Sequence, residues 1–144
     1  LRKLHDMEHH SKLWSELTTG CYDPVTKAYG MWPQAIYQAS RLNCLAAVEC
    51  NTDWSGIEHA LIRQTPVICS IRFERGELEG APLDRTAGHL LLVYGINEES
   101  VLVMDPAAMD TTSVARVYDR QQFSAAWLRH RGAAYYFGQP TTHR

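Results

Sequence analysis

The feature that most limits how this chain can fold is a pair of short apolar runs joined by three polar residues. Residues 88–96 read GHLLLVYGI and residues 100–105 read SVLVMD, with Asn97, Glu98 and Glu99 between them. Runs of this length and composition predict two neighbouring β-strands. Because the first run is apolar on both faces, we expect it to be a central strand that is covered on each side.

Helical patterns precede these strands, and further strand patterns surround them. We predict helices over residues 1–17, over residues 32–42, after a cap at Thr52 or Asp53, and after a cap at Asp119. The other predicted strands are residues 45–49, 66–73, 114–118 and 133–137. This order predicts an α+β fold in which N-terminal helices pack on a C-terminal antiparallel sheet, and residues 1–144 form a single domain without repeats or linkers.

Charge and hydropathy exclude several classes of partner. Fourteen Lys and Arg residues stand against sixteen Asp and Glu, which gives a net charge of −2. The chain therefore lacks the basic patch that nucleic acid or an anionic membrane surface requires. No apolar run approaches the roughly 20 residues of a membrane span, and the opening LRKLHDMEHH lacks the apolar stretch of a signal peptide. Neither compartment nor oligomeric state is indicated.

The cysteines and histidines do not form a recognisable metal or redox motif. The four cysteines, at positions 21, 44, 50 and 69, contain no C-x-x-C pair. Cys21 lies in a turn-like segment rather than at a helix start, so we do not expect it to be a nucleophile. The segment HDMEH at residues 5–9 matches H-x-x-E-H but is interpreted as a solvated helix face. We predict no metal, and no cofactor, because phosphate-cradling glycine loops are absent.

One histidine and one aspartate bracket the two apolar runs. His89 opens the first run, and Asp105, followed by Pro106, closes the second. These residue types supply the base and the orienting acid of a nucleophile, base and acid set. A packed histidine and an Asp-Pro turn would produce the same pattern. Both interpretations remain open at this point.

The hairpin register decides whether the two side chains can meet. A two-residue turn with Asn97 opposite Ser100 puts His89 and Asp105 on opposite faces of the sheet. A three-residue turn puts Asp105 across from Leu91, on the same face as His89 and diagonal to it. The α-carbons are then roughly 7–8 Å apart, within reach of the two side chains.

Five sequence blocks follow one another in a recognisable order. They are YGMWP (29–33), PVICSIRF (66–73), TAGHLLLVYGI (86–96), VLVMDPA (101–107) and VYDRQQFSAAWL (117–128). In this order the chain resembles the bacterial papain-like peptidases of cysteine peptidase family 39 and their C39-like relatives. This group is related to the peptidase domains that cut double-glycine leader peptides from bacteriocins. The resemblance covers most of residues 21–137.

The resemblance implies a papain-like fold, a peptide or protein substrate and a Cys, His, Asp triad. His89 falls on the position of the family's base, and Asp105 on that of its orienting acid. The family's nucleophile lies in a Cys-Gly-Pro or Cys-Ser-Pro motif, with a Gln upstream, and residues 1–28 contain no such motif. Residues 1–17 resemble the segment after the family's nucleophile helix. We therefore expect a peptidase domain without its nucleophile segment, which does not cleave peptides by itself.

Two other functions fit the same residues. One is a non-catalytic module that holds an extended peptide beside His89, with Trp32 and Tyr94 as wall residues. The other is an acyl or amide transferase, because a Cys, His, Asp set serves acyl transfer in general and a fold does not determine a substrate. Whether the chain is an enzyme is not decided by its sequence.

Overall fold

Each predicted helix and strand is present, within a few residues of its predicted bounds. The computed structural model describes residues 2–138, with side chains from His9 onward. Its helices are α1 (Arg2–Gly20), α2 (Trp32–Arg41), α3 (Ser55–Ile62) and α4 (Arg120–Arg129). Its strands are β1 (Leu45–Cys50), β2 (Val67–Phe73), β3 (Thr86–Ile96), β4 (Ser100–Met104), β5 (Ala115–Asp119) and β6 (Ala133–Gly138). The fold is α+β, as predicted. Among the described helices, none has the length and apolar character needed to cross a membrane.

The described chain divides into two compact units. The first contains α1 and α2 and extends to Ala46, and the second is Ala47–Gly138. In the first unit, the side-chain amide of Gln38 in α2 donates to the carbonyl of Gly20 at the end of α1, at 3.4 Å. Between these helices, Asp23 accepts hydrogen bonds from the backbone amides of Val25 and Thr26 and closes a turn. This turn contains Pro24, as the Asp-Pro sequence predicts.

The second unit is built on the sheet, whose strand order is β1-β6-β2-β3-β4-β5. β2 pairs antiparallel with β3 and β6, and β4 pairs antiparallel with β3 and β5. β3 is therefore an interior strand, as the apolar run predicts. β1, of which residues 47–50 belong to this unit, and β5 form the two edges.

One face of this sheet carries the core of the second unit. Helix α4 packs against β2, β4 and β5, and its Phe123, Ala126 and Trp127 are all nearly or fully buried. The indole ring of Trp54, before α3, lies 5.0 Å from that of Trp127 and widens this apolar layer. Asp119 caps α4, as predicted, because its carboxylate accepts a 2.8 Å hydrogen bond from the Gln122 amide.

The two faces of β3 are not equally covered. Leu91 and Val93 point into the core and are 2% and 0% exposed. On the other face Leu90 and Leu92 are half-buried, and Tyr94 is 40% exposed. The outer face of this strand is therefore less covered than predicted, because α3 and α4 contribute to the core on the Leu91 side.

Candidate catalytic site

His89 lies on the core face of β3, near the edge of the apolar layer. It pairs with Ile71 of β2, whose side chain is fully buried, and paired residues of an antiparallel ladder share a face. The His89 side chain keeps 14% of its surface exposed. A histidine in this place combines a fixed ring with access to solvent.

Asp105 follows the last residue of β4 and lies at the same end of the sheet. Its backbone amide donates to the carbonyl of Val114 at 2.8 Å, which extends the pairing of β4 with β5 by one step. The Asp105 side chain is only 2% exposed. A carboxylate so far from water needs hydrogen-bond donors around it.

The register of the β3–β4 hairpin combines parts of both predicted alternatives. The turn is the two-residue form, since the Asn97 amide donates to the Ser100 carbonyl at 3.0 Å and Ile96 pairs with Val101. The ladder then shifts by one residue between Val93 and Gly95.

Tyr94 is the additional residue at this shift, because Gly95 pairs with Leu102 whereas Val93 pairs with Val103. Such a bulge changes the phase of the alternation in one strand. Continuing the shifted register places Asp105 across from Leu91, the position that the three-residue turn predicts. The structure thus puts His89 and Asp105 on one face in spite of the two-residue turn.

The two side chains are in direct contact. Nε2 of His89 lies 2.7 Å from Oδ1 of Asp105. The same oxygen accepts a 2.9 Å hydrogen bond from the Ala107 amide, and Oδ2 accepts a 2.7 Å hydrogen bond from the phenol of Tyr118. Both carboxylate oxygens are therefore held by donors from β3, β5 and the loop after β4.

These donors determine the charge state of Asp105. Burial is the largest single influence and acts to raise its pKa, but the hydrogen bonds from His89, Tyr118 and Ala107 together outweigh it, so the pKa of Asp105 lies below its usual value. Asp105 is therefore ionised at neutral pH. An ionised carboxylate only accepts hydrogen bonds, so Nε2 of His89 is the protonated nitrogen.

The second nitrogen of His89 is the one available for chemistry. Within the described part of the chain, Asp105 is the partner of the His89 ring, and Nδ1 has no hydrogen bond. In the neutral ring, a protonated Nε2 leaves a lone pair on Nδ1. A general base that is oriented by a buried carboxylate requires an arrangement of this kind.

The cysteines of the chain do not complete this pair. Cys69, on β2, is fully buried, and burial raises the pKa of its thiol far above the usual value. Burial also raises the pKa of the Cys21 thiol. Both shifts oppose formation of the thiolate that attacks substrate. In the described residues, no thiol forms a hydrogen bond with His89.

Two contacts of this unit have no signal in the sequence. Oγ of Ser70 lies 2.8 Å from Nδ1 of His130, although the residues are 60 positions apart. His130 therefore has a partner that its surroundings in the sequence do not indicate. Tyr118 likewise contacts Asp105. Its position in a strand predicts which face it occupies, but not the residue that it meets.

The described side chains include no group of three His, Cys, Asp or Glu residues that could hold a metal ion. The H-x-x-E-H segment begins with residues whose side chains, His5 and Glu8 among them, lie outside the described ones. The backbone of this segment is part of α1, as predicted. Of the proposed wall residues, Trp32 is 56% exposed and Tyr94 is 40% exposed.

Comparisons with known proteins bear on the family and the fold of this chain. No curated protein matches the chain. A crystal structure of a Bacillus anthracis protein that has been assigned as a C39-like peptidase matches with a TM-score of 0.58 and 14% sequence identity. The match covers 81% of this chain and 66% of that one, and at this identity it shows a shared fold. The model of the Peptidase_C39 like family matches residues 6–135. Since this match spans most of the sequence, the chain belongs to the Peptidase_C39 like family.

Proposed function

We propose that this chain carries the general base and the orienting acid of a cysteine peptidase, His89 and Asp105. The observation that carries the proposal is the 2.7 Å contact between Nε2 of His89 and Oδ1 of Asp105, beside an Nδ1 that has no partner among the described residues. A base needs this combination of a fixed ring and an open nitrogen. Membership of a peptidase family supports a peptide or protein substrate.

In this proposal the nucleophile is a thiol encoded before residue 1, in a Cys-x-Pro motif at the start of a helix. The reason is that no described thiol forms a hydrogen bond with His89, while Cys69 is buried and the pKa of Cys21 is raised. A helix start is suited to this role because its amide groups lower the pKa of a thiol. Residues 1–144 then form the part of a single peptidase domain that comes after the nucleophile segment.

In the proposed reaction, His89 first accepts a proton from the thiol and then donates it to the leaving amine. Nδ1 of His89 takes the proton of the thiol, and the thiolate attacks the carbonyl carbon of the scissile peptide bond. The imidazolium then gives the proton to the leaving amine, and an acyl-enzyme remains. Water, deprotonated by the same nitrogen, hydrolyses the thioester and restores the thiol. Asp105 stabilises the imidazolium through Nε2 but does not itself take up the proton.

The test is to read the gene upstream of residue 1 and to express the longer chain that it encodes. We expect an in-frame Cys-x-Pro motif, and hydrolysis of a quenched fluorescent peptide library by the longer chain. His89→Ala should lower kcat/KM by about a thousandfold or more. The matched control is His59→Ala, which removes an exposed histidine of α3 and should leave turnover unchanged.

Three results would overturn the proposal. The first is an upstream reading frame that encodes no cysteine. The second is peptide hydrolysis that persists in His89→Ala, and the third is peptide binding by the longer chain without any hydrolysis. The last result would assign the chain to the non-catalytic binding modules. Transfer of the acyl group to an added amine in preference to water would assign it to the transferases.

A further inference from the structure

Tyr118 belongs to the edge strand β5, yet its side chain is directed away from solvent. It is 1% exposed, and its phenol donates a 2.7 Å hydrogen bond to Oδ2 of Asp105. Neither the sequence motifs nor the proposed chemistry gives this residue a role. Its contact with the carboxylate points to a role in the site.

The donors around Asp105 are divided between its two oxygens. Oδ1 accepts hydrogen bonds from Nε2 of His89 and from the amide of Ala107, whereas Oδ2 accepts one from the phenol of Tyr118. Among the described residues, Tyr118 is therefore the donor that holds the second oxygen. Without it, a buried anionic oxygen would have no protein partner, and the whole charge of the carboxylate would act on the donors at Oδ1.

The Tyr118 ring is placed by packing and not by its hydroxyl group. It stacks on Phe123 of α4, with ring centroids 6.3 Å apart and an angle of 20° between the planes. Val101, its partner in β4, is fully buried beside it. Since the ring has its own support, the hydroxyl can be removed without removing the packing.

The phenol of Tyr118 stays protonated over the whole pH range in which proteins function. Burial and then the hydrogen bond to Asp105 raise the pKa of Tyr118 far above its usual value, although the nearby cation of Arg116 acts in the other direction. Arg116 is held in turn by the Gly80 carbonyl, to which it donates at 2.7 Å. Tyr118 is thus a permanent donor to Asp105.

We propose that Tyr118 is a positioning residue of this site, which holds Oδ2 of Asp105 and takes up part of its charge, so that Oδ1 faces His89 with a reduced attraction for its proton. The proposal rests on the proposed function in one respect: His89 is the base and Asp105 the orienting acid. Tyr118 acts on the base through the carboxylate and makes no contact with substrate.

The test is an NMR titration of His89 in the chain of 144 residues, with the resonance identified by its absence in His89→Gln. In Tyr118→Phe, the carboxylate has lost a donor and attracts the His89 proton more strongly. We expect the proton affinity of His89 to rise by about threefold, a shift of about half a pH unit. Arg116, the other charged group near Tyr118, is present in both proteins.

Tyr136→Phe is the matched control. It removes a phenol of the same core face, whose hydrogen bond goes to Oδ1 of Asn51 at 2.9 Å and not to the site. We expect the His89 titration to be unchanged in this variant. A merely structural role for Tyr118 would lower the melting temperature of Tyr118→Phe and would leave the His89 titration unchanged.

An unchanged or lowered His89 titration in Tyr118→Phe overturns the inference. If that variant does not fold, replacing the tyrosines by 3-fluorotyrosine, a more acidic donor, should shift the titration to lower pH, and a shift in the other direction would overturn the inference as well. No turnover is needed for either measurement. Failure here is therefore distinguishable from failure of the proposed function, which is measured by peptide hydrolysis.

Discussion

His89 and Asp105 face each other at 2.7 Å because β3 contains one more residue than β4 between the hairpin turn and the site. The additional residue is Tyr94, at the shift between the pairs Gly95–Leu102 and Val93–Val103. A regular ladder that kept Tyr94 and the same two-residue turn would place the two side chains on opposite faces. The bulge therefore takes up the additional residue, and the ladder beyond it keeps the register that brings His89 and Asp105 onto one face.

Deletion of Tyr94 provides a test of this explanation. Val93–Val103 and Gly95–Leu102 would become consecutive pairs of a regular ladder, so the contact between His89 and Asp105 should survive. We expect a loss of about 1 kcal/mol or less in the free energy of unfolding, because Tyr94 is largely on the exposed face. A crystal structure or the His89 titration would show the contact. Separation of the two side chains would contradict the explanation that Tyr94 is an additional residue taken up by the bulge.

Asp105→Asn should change the dependence of stability on pH. The pKa of Asp105 is lower in the folded chain than in the unfolded one, where it is about 3.9, so its contribution is present above that value. The contribution is lost as the pH falls through the folded pKa. In Asp105→Asn, the free energy of unfolding at neutral pH should fall by about 2 kcal/mol. The decrease in stability that Asp105 causes as the pH falls should also disappear.

Urea unfolding at several pH values, from about 3 to about 7, would measure both effects of this substitution. The matched control is Asp84→Asn, because Asp84 forms an exposed ion pair with Arg75 that contributes little. Equal acid-side slopes in the wild type and in Asp105→Asn would contradict the assigned pKa direction.

The thiols should differ widely in their rates of alkylation. Cys50 lies exposed on the edge strand β1, whereas Cys69 is fully buried and its pKa is raised. With iodoacetamide at neutral pH, we expect Cys50 to react first, Cys21 to react more slowly than a free thiol, and Cys69 to react only after unfolding. Mass spectrometry of a time course would order them. Rapid labelling of Cys21 would instead support it as a nucleophile.

Asp119→Ala should destabilise the second unit through helix α4. The carboxylate accepts a hydrogen bond from the Gln122 amide, which otherwise has no partner in the first turn. We expect a loss of about 1 kcal/mol in the free energy of unfolding, measured by urea denaturation. Asp119→Asn keeps an acceptor and should recover most of the loss. If the Asn and Ala variants are equally destabilised, the cap does not explain the stability of the helix.

The sequence by itself determined the order of helices and strands, the α+β class, the Asp119 cap and the interior position of β3. These features depend on periodicity and capping within short segments, which are readable locally. The same patterns marked His89 and Asp105 as candidates, since each stands at the end of an apolar run. A resemblance between five blocks and a peptidase family supplied their proposed roles.

The tertiary structure alone decided whether the two candidates meet. The Tyr94 bulge, the Tyr118 phenol on Asp105 and the contact of Ser70 with His130 each depend on the pairing or packing of separate elements. Such contacts leave no periodic signal, because either partner taken alone looks like an ordinary strand or helix residue. For this chain, local patterns predicted which residues to consider, and strand register determined which of them lie together.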